Sequence, residues 1–271
     1  MKKLFLPLAV LAMLFGACNK DKNGETNKLL SKITHPRIDG DGNPQNSIQA
    51  FEYDGQNRMT KSSWISPSGE REDFVFSYSG NSNAPTKYVF TEYSSTGAVL
   101  NSSENLMEYS GNQVFRVLER DGGRDTVSFL TIDANGRVTK NTWGEESSSF
   151  SEESFSYNAD GNMTKIIYIS TYDGEEDYRS ETNFTYSTVK SVFRHVNVPD
   201  WLIWFHLGWD FSKSGYMVSQ IQRVGSSNYD NFVYTTDADG YVLTCTYTYI
   251  SDSSPDPIEQ STQTFEYINA K

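Results

Sequence analysis

The segment Phe51-Glu-Tyr-Asp-Gly-Gln-Asn-Arg-Met-Thr-Lys61 returns, little changed, as Phe155-Ser-Tyr-Asn-Ala-Asp-Gly-Asn-Met-Thr-Lys165. Looser copies run from Phe129 through Asp133-Ala134-Asn135-Gly136 to Lys140, and from Val233 through Asp237-Ala238-Asp239-Gly240 to Thr244. Each copy is a hairpin: an aromatic and β-branched strand ends, Asn or Asp opens a short turn, Gly supplies positive φ, and a second strand returns. Phe74-Val-Phe-Ser-Tyr78 and Phe184-Thr-Tyr186 carry the same aromatic, polar, aromatic alternation, which continues over Ile166 to Tyr172 and Val242 to Ile250. A period of two with Phe, Tyr, Ile or Leu on one face and Ser, Thr, Glu or Lys on the other predicts an antiparallel sheet with one buried and one wet face. The turns are irregularly spaced, which argues against the equal blades of a propeller. Alternate positions such as those of Ser151-Glu152-Glu153-Ser154 argue against a lipid-facing wall, because a transmembrane barrel needs a continuous apolar band about 25 Å tall.

The N-terminus reads as an address. Lys2 and Lys3 precede an apolar stretch from Leu4 to Phe15, and Gly16 and Ala17 stand before Cys18, which is signal-peptide anatomy. The apolar run is shorter than the roughly 20 residues that a membrane-spanning helix needs. Leu14-Phe15-Gly16-Ala17-Cys18 resembles the bacterial lipobox. That resemblance implies that residues 1–17 are removed and that Cys18 becomes an acylated first residue, since several acyl chains suffice for stable anchoring. Asn19 stands where an inner-membrane retention signal would have Asp, so an outer-membrane lipoprotein facing the periplasm or the cell surface is expected. From Asn19 the chain is Lys, Asn, Asp, Gly and Thr with almost no apolar residue, and residues 18–31 read as a flexible tether. Residues 32–271 then form a single all-β domain, with no linker dividing it.

Charge and cysteine content narrow the partners. The formal net charge is −12 and becomes two units more negative without Lys2 and Lys3, which excludes a phosphate-binding footprint and hence nucleic acid. The membrane contact therefore falls to the acyl chains. Cys245 is the second of two cysteines; with Cys18 acylated it has no disulfide partner and reads as a small core residue.

One segment breaks the strand pattern. Val196 to Trp209 holds Trp201, Trp204 and Trp209, three of the five tryptophans. Asp200 after Pro199 is placed to cap a helix and Gly208 to end it, so a short helix from Trp201 to Leu207 is predicted. Being apolar almost all round, it should be buried, plugging the concave side of a strongly curved sheet. The same three tryptophans are also the candidate binding residues, lining a cleft and stacking on a sugar ring or another flat apolar ligand.

Taken in order, the Phe-x-Tyr-Asn-x-Asp-Gly-x-Met-Thr-Lys hairpins, the Asn-x-x-x-Trp-Leu segment from Asn197 to Leu202, and Phe211-Ser-Lys-Ser-Gly-Tyr-Met-Val-Ser-Gln-Ile221 resemble bacterial lipoproteins of unknown function with a porin-like fold. The hairpins alone also resemble the tyrosine-aspartate repeats of cell-surface Rhs-type proteins. The first resemblance covers roughly Ile33 to the C-terminus. It implies a single highly curved antiparallel β-meander, an incomplete barrel closing on a short central helix, and it carries over no catalytic residue.

Chemical motifs are sparse. His35, His195 and His206 are scattered, without a second ligand at metal spacing, so no metal and no cofactor is expected. Asp39-Gly-Asp41-Gly-Asn43 begins like a calcium loop, but Ala50 stands where the bidentate Glu is required. Glu145-Glu146, Glu152-Glu153 and Glu175-Glu176-Asp177 offer carboxylates for glycoside hydrolysis, though adjacent acids at hairpin ends more simply protect sheet edges. Asp125-Thr126-Val127 resembles a short O-glycosylation sequon, which requires Thr126 to be exposed. The expected function is thus non-catalytic: an envelope lipoprotein binding a glycan or another apolar-faced ligand. The alternatives are an interaction scaffold for envelope proteins and, last, a hydrolase.

Overall fold

The structure is a computed structural model that describes residues 27–38, 41–120, 123–145, 149–208, 213, 215–251 and 254–271. Sixteen strands among these residues follow one another around the molecule: β1 Lys28–Ile38, β2 Pro44–Tyr53, β3 Met59–Ile65, β4 Arg71–Tyr78, β5 Pro85–Tyr93, β6 Val99–Ser110, β7 Gln113–Arg120, β8 Gly123–Ile132, β9 Val138–Glu145, β10 Ser149–Tyr157, β11 Met163–Tyr172, β12 Glu175–Lys190, β13 Tyr216–Arg223, β14 Tyr229–Thr236, β15 Val242–Ser251 and β16 Ser254–Asn269. Each pairs antiparallel with its neighbours in sequence. One helix, α1 Asp200–Leu207, lies between β12 and β13.

The sheet closes, which corrects the expectation of an incomplete barrel. β1 pairs with β16 from Lys28↔Asn269 to Thr34↔Thr264, and closure removes both edges that an open sheet would leave to solvent. Both closing strands extend beyond the obvious aromatic pattern. β1 starts at Lys28 and buries Leu29 and Leu30, so the last residues expected in the tether are strand. Two consecutive apolar residues were enough to join it to the wall.

Every letter of the repeated hairpin has a job. Phe51 and Phe155 point into the barrel and are buried. The Asx that follows accepts two backbone N–H groups through Oδ1: Gln56 and Arg58 on Asp54, Asn135 and Arg137 on Asp133, Asp160 and Asn162 on Asn158, Asp239 and Tyr241 on Asp237. Positive φ falls on Gly136, Gly161 and Gly240, but in the first copy on Asn57 (φ 60°) and not on Gly55. After the turn the register slips by one residue at the same place in every copy, Glu52↔Lys61 giving way to Tyr53↔Met59 and Ser156↔Lys165 to Tyr157↔Met163. The bulge lets Met59, Met163, Val138 and Val242 face the core while the residue two positions on, Lys61, Lys165, Lys140 or Thr244, faces out. Tyrosine hydroxyls then donate to backbone carbonyls beside these bulges and beside register shifts elsewhere in the wall: Tyr78 to Met59, Tyr157 to Val138 and Tyr186 to Met163, and Tyr53 to Leu30, Tyr109 to Pro85 and Tyr234 to Val218, at 2.6–2.7 Å.

The outer wall is polar at mid-strand. Lys61 and Arg71 meet Asp73, Lys87 meets Glu104, Lys140 meets Glu152, Lys165 meets Glu181, and Lys32 meets Glu266. Hydroxyl pairs Thr235–Thr244 and Thr246–Thr262 continue the pattern. Such rows suit water and lack the apolar band of a lipid-facing wall.

A barrel of this strand number encloses a lumen too wide for wall side chains to fill. The chain between β12 and β13 fills one end of it, burying Val192, Phe193, Val196, Val198, Trp201, Leu202 and Ile203 against the wall. The repeat turns seat this plug. Asn197 N–H donates to the Asn57 carbonyl, Trp201 N–H to the Gly136 carbonyl, Tyr216 N–H to Asn162 Oδ1, and the Arg194 guanidinium lies 3.9 Å from the Tyr241 ring centre. Glycine suits position 215, where φ is 87° and a Cβ would stand 2.0 Å from Asn162 Oδ1 and force that side chain to shift. Asp200 is the first helical residue and does not cap α1; no side chain does, and its carboxylate accepts the Lys213 N–H instead. Gly208 (φ 94°) ends the helix as expected, its N–H donating to the Trp204 carbonyl.

Candidate functional site

With one end plugged, the barrel is a cup whose floor is the C-terminal half of α1. Trp204, Phe205, His206 and Leu207 are each half-buried there. Trp204 stands edge-on to Phe155 with ring centres 4.9 Å apart, and His206 lies between Phe74 and Phe76 at 4.4 and 5.3 Å. Neither Trp204 Nε1 nor His206 Nε2 finds a partner among the described residues. Burial lowers the His206 pKa to about 4, so the ring is neutral near neutrality.

Three hollows along the inward rows of the wall are formed by described residues. The first, of about 700 Å³, is lined by His35, Arg37 and Trp64 with Ser261 and Gln263. His35 packs on Trp64 at 4.9 Å, and burial, with Arg37 nearby, lowers its pKa to about 4. A second hollow of about 680 Å³ is lined by Phe74, Tyr88, Phe90, Asn105, Arg116 and Leu118. Phe74 lies 5.0 Å from Phe90 and 5.9 Å from Tyr88, giving a continuous aromatic panel. The third, about 220 Å³, holds Glu153, Ile166, Tyr168, Ser180 and Thr182. Burial raises the Glu153 pKa, and the bond it accepts from Asn141 Nδ2 at 3.0 Å partly offsets this. Aromatic faces interleaved with amides and hydroxyls suit a ligand that is flat and apolar on its faces and polar at its edges.

Of the three tryptophans singled out from the sequence, the two described ones take different environments. Trp201 is 1 % exposed and packs beside Tyr109 in the core. Trp204 is in the floor of the cup. Trp209, like Cys18, lies outside the described residues. Trp64 was missed by the sequence reading, although strand parity signals it: β3 pairs Ser62 with Phe51 and Trp64 with Gln49, which places Trp64 on the Phe51 face. Among the described residues the carboxylates do not assemble; Glu146 and the Glu145 side chain lie outside them. Glu152 points outward to Lys140 and Glu153 inward to Asn141, on opposite faces of one strand, while Glu175 and Glu176 are exposed. No cluster of three metal-ligating side chains occurs among the described residues. Cys245 is buried in β15, and Thr126 is exposed.

No protein-family model matches the chain, and no curated protein matches it. Among solved structures, it is similar to a porin-like protein from Bacteroides uniformis, 16% identical, covering 88% of this chain and 96% of that one with a TM-score of 0.44. It is also similar to a porin-like protein from Bacteroides vulgatus, 11% identical, covering 89% and 99% with a TM-score of 0.36.

Proposed function

We propose that this chain is a non-catalytic lipoprotein of the cell envelope, anchored at the outer membrane through acyl chains on Cys18, whose plugged barrel binds a glycan. The observation that supports a binding cup is the aromatic and amide lining above a closed floor. A sugar ring offers an apolar face to Trp64, Phe74 or Phe90 and hydroxyls to Asn105, Ser261 or Gln263, the division of labour expected of small-molecule sites. The plug argues against an open channel, and the polar outer wall against insertion of the strands into lipid.

Titration calorimetry of the intact protein against a panel of neutral and charged oligosaccharides tests this reading. Saturable binding is expected for at least one glycan. Trp64→Ala should weaken it at least tenfold, about 1.4 kcal/mol, with an unchanged melting temperature. A flat response across the panel would overturn the glycan reading and favour a scaffold that meets envelope proteins.

A further inference from the structure

We infer that the hollow formed by Phe74, Tyr88, Phe90, Asn105, Arg116 and Leu118 takes an anionic sugar, Arg116 gripping its acidic group while the aromatic panel meets the ring. This rests on the binding-cup reading and deepens it.

The argument begins with what Arg116 lacks. A guanidinium carries five N–H donors. That of Arg116 makes one long bond, Nη1 to the Tyr88 hydroxyl at 3.4 Å, and lies 5.8 Å from the Phe205 ring centre. Its Nε is buried with no acceptor among the described residues. Other arginines of the barrel are matched to acids, Arg58 with Asp54, Arg137 with Asp133 and Arg71 with Asp73. A half-buried cation with so few acceptors is costly for the fold alone. An incoming carboxylate or sulfate supplies them, and the planar fork of arginine fits such a group in two parallel bonds.

The surroundings are matched to the rest of a sugar. Asn105 is buried beside Ser103, its Nδ2 donating to Ser103 Oγ at 3.3 Å and its carbonyl oxygen still available to a hydroxyl. Phe90 and Tyr88 stand on the same face of β5. Acids do stand near this hollow: Glu104 is among its lining residues, but its carboxylate is neutralised by Lys87 at 2.6 Å. Glu92, paired with Glu72 across β4 and with the lining residue Asn101 across β6, stands at the mouth-side rim of the hollow, and it is four residues from Tyr88 along β5, so the Arg116 end lies about 13 Å away at strand rise.

The probes are trigalacturonate, its methyl ester, which keeps the shape and loses the charge, and galactose 6-sulfate, each titrated into the intact protein. Trigalacturonate should bind at least tenfold tighter than its ester. Arg116→Gln should bring acid and ester within twofold of each other, and Arg116→Lys should keep a reduced preference. A sulfate preference over carboxylate, abolished by the same variants, would support the site and identify the group. Because Arg116→Gln removes an under-partnered cation, its melting temperature should hold or rise; if it failed to fold, the Lys variant would carry the comparison. An ester that binds as tightly as the acid, or a preference that survives Arg116→Gln, overturns the inference. Neutral sugars that bind in a Trp64-dependent way while acids do not would overturn this inference and leave the cup standing. No binding of any sugar would overturn both.

Discussion

Tyr157 works at both its ends. Its ring lies under the Arg137 guanidinium at 4.7 Å, and its hydroxyl donates to the Val138 carbonyl at 2.7 Å. That carbonyl sits where the β9 bulge interrupts the ladder, so the phenol satisfies an acceptor that the neighbouring strand cannot reach. Burial raises the phenol pKa, which keeps it a donor across the physiological range. Tyr157→Phe keeps the ring stacking and strands the carbonyl. It should cost about 1–2 kcal/mol in urea unfolding, against a change within about 0.5 kcal/mol for Tyr172→Phe, where the side chain is exposed. Equal effects at both positions would show that the clasp is dispensable. Asn57 shows the opposite economy: it takes the left-handed conformation that glycine fills in the other copies, and its side chain bonds the main chain of Lys271 in both directions, 2.9 Å from its N–H and 3.4 Å to its carbonyl.

Among the elements, α1 depends most on its surroundings. Eight residues, apolar all round and without a side-chain cap, do not hold a helix in water. The repeat turns and the wall hold it, and its last turn brings His206 between two phenylalanines. This makes docking of the plug sensitive to acid. The unfolded chain protonates histidine near pH 6.5 and the folded protein protonates His206 only near pH 4, so between those values the unfolded state binds more protons. Stability should be flat above about pH 6.5 and fall as the pH drops through that window, by on the order of 3 kcal/mol from this residue. His35 acts in the same direction. Thermal melts from pH 7.5 to 4 would show the slope, and His206→Phe, which suits the aromatic surround, should reduce it. An unchanged slope in that variant would move the effect elsewhere.

At the scale of the molecule, closure and plugging are separate events with separate causes. Pairing of β1 with β16 satisfies two edges, while the plug fills the space that closure creates. The result is a blind cup with a polar exterior, so the proposed membrane attachment has to come from something other than the wall. If Cys18 supplies it, Cys18→Ser should abolish incorporation of labelled palmitate and move the protein from the membrane to the soluble fraction. Retention in the membrane without label would point to the barrel itself.

Strand type, hairpin turns and the burial of the first turn of the tryptophan helix were readable from residue order, because they depend on period-two alternation, on Asx and glycine at fixed offsets, and on a run with no polar face. Parity along a strand even places Trp64 on the inner face, given one anchored neighbour. Closure was not readable, since it depends on accumulated tilt and twist around all sixteen strands and on whether two distant ends meet in register. Nor was the composition of the cup. Phe74, Tyr88, Phe90 and Arg116 lie on three strands, and only the lateral register sets them around one hollow; likewise only packing divides Trp201 in the core from Trp204 in the floor, two residues that look alike in sequence and meet different neighbours in space.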